Sequence, residues 1–99
     1  MFALSAHQRF HLYRHATDMR KGFNGLSGLV RNELDADPLS GDVFIFINRS
    51  RQLMKLLVWD TDGYLLYTKR LEKGRFQNHP SSPGTTIDYQ QLHFLLRGI

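Results

Sequence analysis

The chain has 99 residues, no cysteine, 41% hydrophobic residues and a formal net charge of +4, with a sequence pI near 9.8. That length points to one domain, residues 1–99, with apolar content enough for its own core. The absent cysteines exclude disulfides, thiolate-bound zinc and thiol catalysis, and a reducing cytosol is compatible with them.

The first ten residues, MFALSAHQRF, have neither a charged n-region nor an apolar h-region, so they do not read as a secretory signal. Residues 9–14 alternate in polarity and predict a strand. Thr17 or Asp18 is placed to cap a helix beginning at Met19. Phe23, Leu26, Leu29, Val30 and Leu34 then recur at helical spacing and give one buried stripe. The helix should stop near Asp35–Pro38, because the residue before a proline avoids the α region. Gly22, Gly25 and Gly28 recur within it, each costing about 1 kcal/mol against alanine. Close approach of a strand or another chain is the expected reason.

Val43–Ile47 is the longest apolar run, far short of the roughly 20 residues of a membrane span. Its β-branched and aromatic residues predict a strand buried on both faces. Two more strands are expected at 53–60 and 64–71, joined by Asp60-Thr61-Asp62-Gly63, a hairpin signal. Strand alternation puts Met54, Leu56, Val58, Leu65, Tyr67 and Lys69 on one face. Lys55, Leu57, Trp59, Tyr64, Leu66, Thr68 and Arg70 fall on the other. Residues 77–86 read as a polar, proline-rich linker. A last helix is predicted from Asp88, with Gln91 completing a capping box, Leu92, Leu95, Leu96 and Ile99 forming its apolar face, and Gly98 ending it. The expected fold is a small α+β domain: an antiparallel meander of three to four strands, one helix after the first strand, and a C-terminal helix.

The charge is local. Residues 49–75 hold seven Lys/Arg against three acids, whereas residues 1–48 hold five of each sign. Arg49, Arg51, Lys55, Lys69, Arg70, Lys73 and Arg75 thus form a candidate phosphate-contacting set, with Trp59 or Tyr64 able to stack on a base. The competing reading is a solvated edge with Trp59 packed under the C-terminal helix. Arg20 and Lys21 stand in the first turn of the expected helix, where the macrodipole disfavours cations, and this makes them candidates for anion binding. No amphipathic basic helix is present to favour a membrane partner.

Catalytic alternatives are weak. His7, His11 and His15 fall in an extended segment without a supporting carboxylate, which argues against a metal site. Asp60, Asp62 and Glu72 are the tight acidic group of the basic block, but the turn explains both aspartates. No nucleophile elbow or dinucleotide fingerprint is present, so no cofactor and no enzymatic activity are expected.

Four segments together carry a family resemblance. Asp18–Leu26 (DMRKGFNGL) resembles a DMRKGFDGL signature, and Ser40–Phe46 (SGDVFIF) resembles a G-x-[LV]-F-[VI]-F strand. Leu56–Asp60 with Gly63 and Tyr67–Phe76 resemble KLLYWD…G…YKRLEKGRF, and Gln91–Ile99 resembles a closing QL-x-x-LL-x-GI. The chain is therefore similar to the small TnpB, or second-open-reading-frame, accessory proteins of insertion-sequence family sixty-six. Asn24 stands where the pattern has Asp, and Ser50-Arg51-Gln52 varies an NRRRD-like turn. The resemblance implies an accessory role in bacterial transposition, beside a DDE transposase that holds the catalytic carboxylates and a second small protein. It transfers no catalytic residue. The expected function is DNA binding that helps the transposase at element ends. The alternative is an adaptor that touches the transposase or the second small protein without gripping DNA.

Overall fold

The computed structural model describes residues 7–77 and 86–97. Its elements are β1 (Phe10–Leu12), α1 (Phe23–Asn32), β2 (Val43–Ile47), β3 (Leu53–Asp60), β4 (Gly63–Arg70), β5 (Thr86–Ile87) and α2 (Tyr89–Leu96). The strands form one sheet in the order β4-β3-β2-β1-β5. β2, β3 and β4 make the expected antiparallel meander. β1 joins it parallel to β2, with α1 as the crossover, and β5 pairs antiparallel on β1. The sheet is thus mixed, which corrects the purely antiparallel expectation. Thr86, assigned to the linker, lies in β5; residues 78–85 of that linker, and the helix-end residues Gly98 and Ile99, lie outside the described residues.

All five residues of β2 are buried, because both sheet faces are covered. On one face, Val43, Ile45 and Ile47 pack with Met54, Leu56, Val58, Leu92 and Leu95. On the other, Phe44, Phe46 and Leu57 pack with Leu26 and Val30 of α1. The register pairs Leu56 with Tyr67, Leu57 with Leu66 and Trp59 with Tyr64, so the hairpin residues divide between faces as their alternation requires. The two helices therefore occupy opposite sides of the sheet. Phe76, in the basic run after β4, is fully buried in the α2-side core.

α1 starts four residues later than its pattern suggested. Asp18 does cap a turn, but it is the turn before the helix: its Oδ1 accepts the Arg20 backbone N–H at 2.9 Å. Gly22 is the N-cap and offers no side-chain bond. The helix ends where the Leu34 N–H reaches back to the Leu29 carbonyl and Asp35 turns left-handed at φ 49°. No close approach explains Gly22 or Gly28, since a Cβ at either would meet nothing within 4 Å among the described residues. Gly25 differs: its Cβ would lie 3.1 Å from the Lys21 stem, which crosses it. In α2, the Asp88 side chain accepts the Gln91 N–H at 2.7 Å and the Gln91 side chain accepts the Asp88 N–H at 2.8 Å, the full capping box.

Candidate nucleic-acid interface

The topology sorts charge along the strands. β1 and β2 are parallel, and β3 begins where β2 ends, so the exit of β1, the β2–β3 turn and the exit of β4 share one end of the sheet. That end carries Arg14, Arg49, Arg51, Arg70, Lys73 and Arg75. The other end carries Asp42 before β2, Asp60 and Asp62 at the β3–β4 turn, and Asp88 after β5. Along the eight residues of β3 the two ends are roughly 25 Å apart.

The basic end is a built surface. Asn48 Oδ1 accepts the backbone N–H groups of Gln52 and Leu53, each at 3.1 Å, and the Arg51 N–H donates to the Asn48 carbonyl at 3.0 Å. Arg51 takes a left-handed φ of 60° in this turn. The Leu71 N–H donates to the Gln52 carbonyl and the Phe76 N–H donates to the Arg51 carbonyl, at 2.9 and 2.7 Å. The loop after β4 is thereby held along the β2–β3 turn, with buried Phe76 as its anchor and Gly74 reversing the chain at φ 75°. Lys73 and Arg75 are exposed beside Arg49 and half-buried Arg51.

The nine predicted cations do not act alike. Arg49, Arg51, Lys73, Arg75 and Lys21 have no side-chain ion pair among the described residues. Lys55 is structural: its Nζ donates to the carbonyls of Met19 (2.8 Å) and Lys21 (2.9 Å), fixing the turn before α1 to the sheet. Lys69 is structural as well, donating to the Leu96 carbonyl at the C-terminal end of α2, where helix carbonyls lack intrahelical partners. Arg70 pairs with Glu72 at 2.9 Å in the open, an arrangement of small energetic weight. Arg20 chelates Asp18 at 2.6 Å, and this hydrogen bonding holds the Asp18 carboxyl down at about 2. Arg20 and Lys21 lie in the turn preceding α1 rather than in its first turn, so the helix-terminus argument for them does not apply.

The aromatic pair also sits elsewhere. Trp59 and Tyr64 meet edge-on at 5.1 Å near the acidic end, and Tyr64 stacks on Phe23 of α1 at 6.4 Å. Trp59 is half-buried on the α1 face, not under α2, and Arg49, Arg51, Lys73 and Arg75 at the basic end are far from it. Asp60 and Asp62 lie at the hairpin tip and Glu72 beyond its other end. Among the described residues no three His, Cys, Asp or Glu side chains converge on a metal position, and no helix is long and apolar enough to cross a membrane.

Comparison with known proteins identifies the chain's relatives. Residues 8–99 match the family described as IS66 Orf2 like protein. The chain belongs to this family. It is 45% identical over 85 residues to the uncharacterized protein y4hO of Sinorhizobium fredii, covering 84% of this chain and 73% of that protein. It is 37% identical over 83 residues to the uncharacterized protein y4jC of the same organism, covering 83% and 71%. No solved structure matches. The protein is accordingly a transposition-associated accessory protein of an insertion sequence.

Three features of this family member escaped the sequence. His11 does have a carboxylate, Asp42, at 3.0 Å, and its ring stacks on Phe44. A groove of about 410 Å³ runs between α2 and β4, floored by Met54 and Leu56 and walled by Tyr67, Tyr89, His93 and Leu96. Finally, a notch of about 120 Å³ opens at the basic end, between Tyr13, Arg14, His15 and Ala16 on one wall and Ile47, Asn48, Arg49 and Arg51 on the other. Burial, with the Glu33 charge adding, pushes the Tyr13 phenol above its ordinary value, so it remains a neutral hydroxyl there.

Proposed function

We propose that this accessory protein is non-catalytic and grips DNA through the basic end of its sheet, at or near the ends of its insertion sequence. It would work beside the DDE transposase and the second small protein of the same element. One observation carries the reading. Arg49, Arg51, Lys73 and Arg75 are gathered by the β2–β3 turn and the loop after β4, without carboxylate partners among the described residues, while Asp42, Asp60, Asp62 and Asp88 lie at the opposite end. Such a surface suits a polyanion, because each phosphate it neutralises releases condensed counterions. Lys21 extends it on the α1 side. Trp59 and Tyr64, remote from these cations, would reach a base only on DNA that also wraps the α1 face.

The test is fluorescence anisotropy with labelled duplexes, random and terminal-repeat, across a salt series. Arg49→Ala with Arg51→Ala should weaken binding and flatten the log–log salt slope by roughly 2, at about 0.9 for each phosphate left un-neutralised. An unchanged slope sinks the assignment. Preference for the terminal repeat would make the protein an end-recognition factor.

The groove between α2 and β4 favours a second reading, an adaptor that seats an apolar segment of the transposase or of the second small protein. Its aromatic walls, with Tyr67 43% and Tyr89 42% exposed, are the residue types that dominate interface energetics. A folded sample that fails to bind duplex at low salt, yet binds transposase in a manner abolished by Tyr67→Asp, would replace the first reading with this one.

A further inference from the structure

The notch at the basic end has a specific structural origin. The Tyr13 N–H donates to the Ile45 carbonyl and the Thr17 N–H donates to the Ile47 carbonyl, both at 2.9 Å. Four residues of the chain after β1 thus span the same stretch as two residues of β2. Arg14-His15-Ala16, three residues opposite the single Phe46, must bow away from the sheet, as in a bulge. The space beneath the bow is the notch. Its far wall is the Asn48–Arg51 turn, pinned by the Asn48 side chain.

We propose that this notch seats a single phosphate group, held between Arg14 and His15 on one wall and Arg49 and Arg51 on the other. The inference rests on the DNA-binding reading for the source of that phosphate and adds residues, Arg14 and His15, that lie outside the basic block. Arg14, His15, Arg49 and Arg51 are among the residues lining about 120 Å³, and no Asp or Glu is among them. Arginine matches a phosphate oxygen pair with two parallel N–H donors, and a neutral imidazole still supplies one. Both walls are tied to the sheet by backbone hydrogen bonds, so little ordering is needed when the anion arrives. The exposed Lys73 and Arg75 lie outside the notch and track neighbouring phosphates.

The shared chemistry is a phosphate group; its two sources are an internal phosphodiester and a terminal 5′-phosphate. The experiment uses the ¹⁵N-labelled full chain. Inorganic phosphate should produce saturable amide shifts at residues 13–16 and 47–51, abolished in Arg14→Gln and retained only weakly in Arg51→Lys, which keeps charge but not the paired donors. Each variant's own amide spectrum reports that it is folded, and Arg51→Lys carries the test if Arg14→Gln is not. Two duplexes identical but for a 5′-phosphate or 5′-hydroxyl then separate the sources. Equal affinity, weakened roughly 3- to 10-fold by Arg14→Gln with a salt slope lower by about 0.9, assigns the notch to the internal backbone. A preference for the phosphorylated duplex that vanishes in Arg14→Gln assigns it to the terminus. Phosphate shifts that are absent, or equal at Lys73 and Arg75, overturn the notch, and duplex binding surviving in that case leaves the DNA reading intact. Saturable phosphate shifts without duplex binding overturn the DNA reading and leave the notch standing.

Discussion

Arg20 and Asp18 show how a charged pair positions a chain without adding to its charge. Asp18 accepts the Arg20 backbone N–H and holds the Arg20 guanidinium through both carboxylate oxygens, which closes the turn before α1. Lys55 secures the same turn from below through two carbonyls. The Asp18 carboxyl is lowered to about 2, first by the Arg20 side-chain bond and then by the backbone bond. Because the folded value lies below that of the unfolded chain, about 3.9, the contribution is fully present above the unfolded value and disappears as pH falls through about 2. Carboxyl-detected NMR should therefore find Asp18 titrating at about 2 in the native protein. In Arg20→Gln the midpoint should rise toward the ordinary carboxylate range. A midpoint that ignores this substitution would mean the ion pair does not hold the turn in solution.

At the level of elements, α1 carries an unused opportunity. Gly28 is within the helix, and an added Cβ would meet nothing within 4 Å. Alanine there should stabilise the domain by about 0.5–1 kcal/mol, since glycine loses more backbone freedom on folding. At about 4–8 °C per kcal/mol for a domain of this size, thermal denaturation followed by circular dichroism will detect it. Gly25→Ala should give no such gain, because its Cβ must displace the Lys21 stem from 3.1 Å. A melting temperature that falls in Gly28→Ala would show that another chain covers this face. The elements themselves were legible where a period ran long enough: β2, both faces of the hairpin, the α1 stripe from Leu26 to Leu34 and the α2 capping box all follow from residue order. Phe23, counted in that stripe, is instead 48% exposed, because it is the first residue of the late-starting helix. The start of α1 was not, because an Asp followed by a turn looks the same whether a helix or a single reversal comes next. β5 has two residues and therefore no period to read. Nor does alternation say whether β1 runs parallel or antiparallel to β2; the α1 crossover decides it.

For the whole molecule, the decisive property is the axis of charge. Residue order places the excess cations in 49–75, but the hairpin folds that block so that its aspartates and its carboxylate-free cations part company. Two further features could not be read from residue order: the recruitment of Lys55 and Lys69 by backbone carbonyls 27 or more residues away, and the bulge that opens the notch. Both depend on pairing between distant segments. If DNA binds at the basic end alone, charge changes at the two ends must have unequal effects. Lys73→Gln with Arg75→Gln should lower the log–log salt slope by roughly 2, because two phosphates are no longer neutralised. Asp60→Asn with Asp62→Asn adds the same amount of positive charge that the first pair removes, yet roughly 25 Å away along β3. At about 0.1 M salt the screening length is about 10 Å, so this second pair should leave the slope unchanged and affect affinity only weakly. Anisotropy titrations of both variants against one random duplex make the comparison. Equal and opposite effects would mean that DNA responds to net charge rather than to a placed surface, and the assignment of Arg49, Arg51, Lys73 and Arg75 would fall with it.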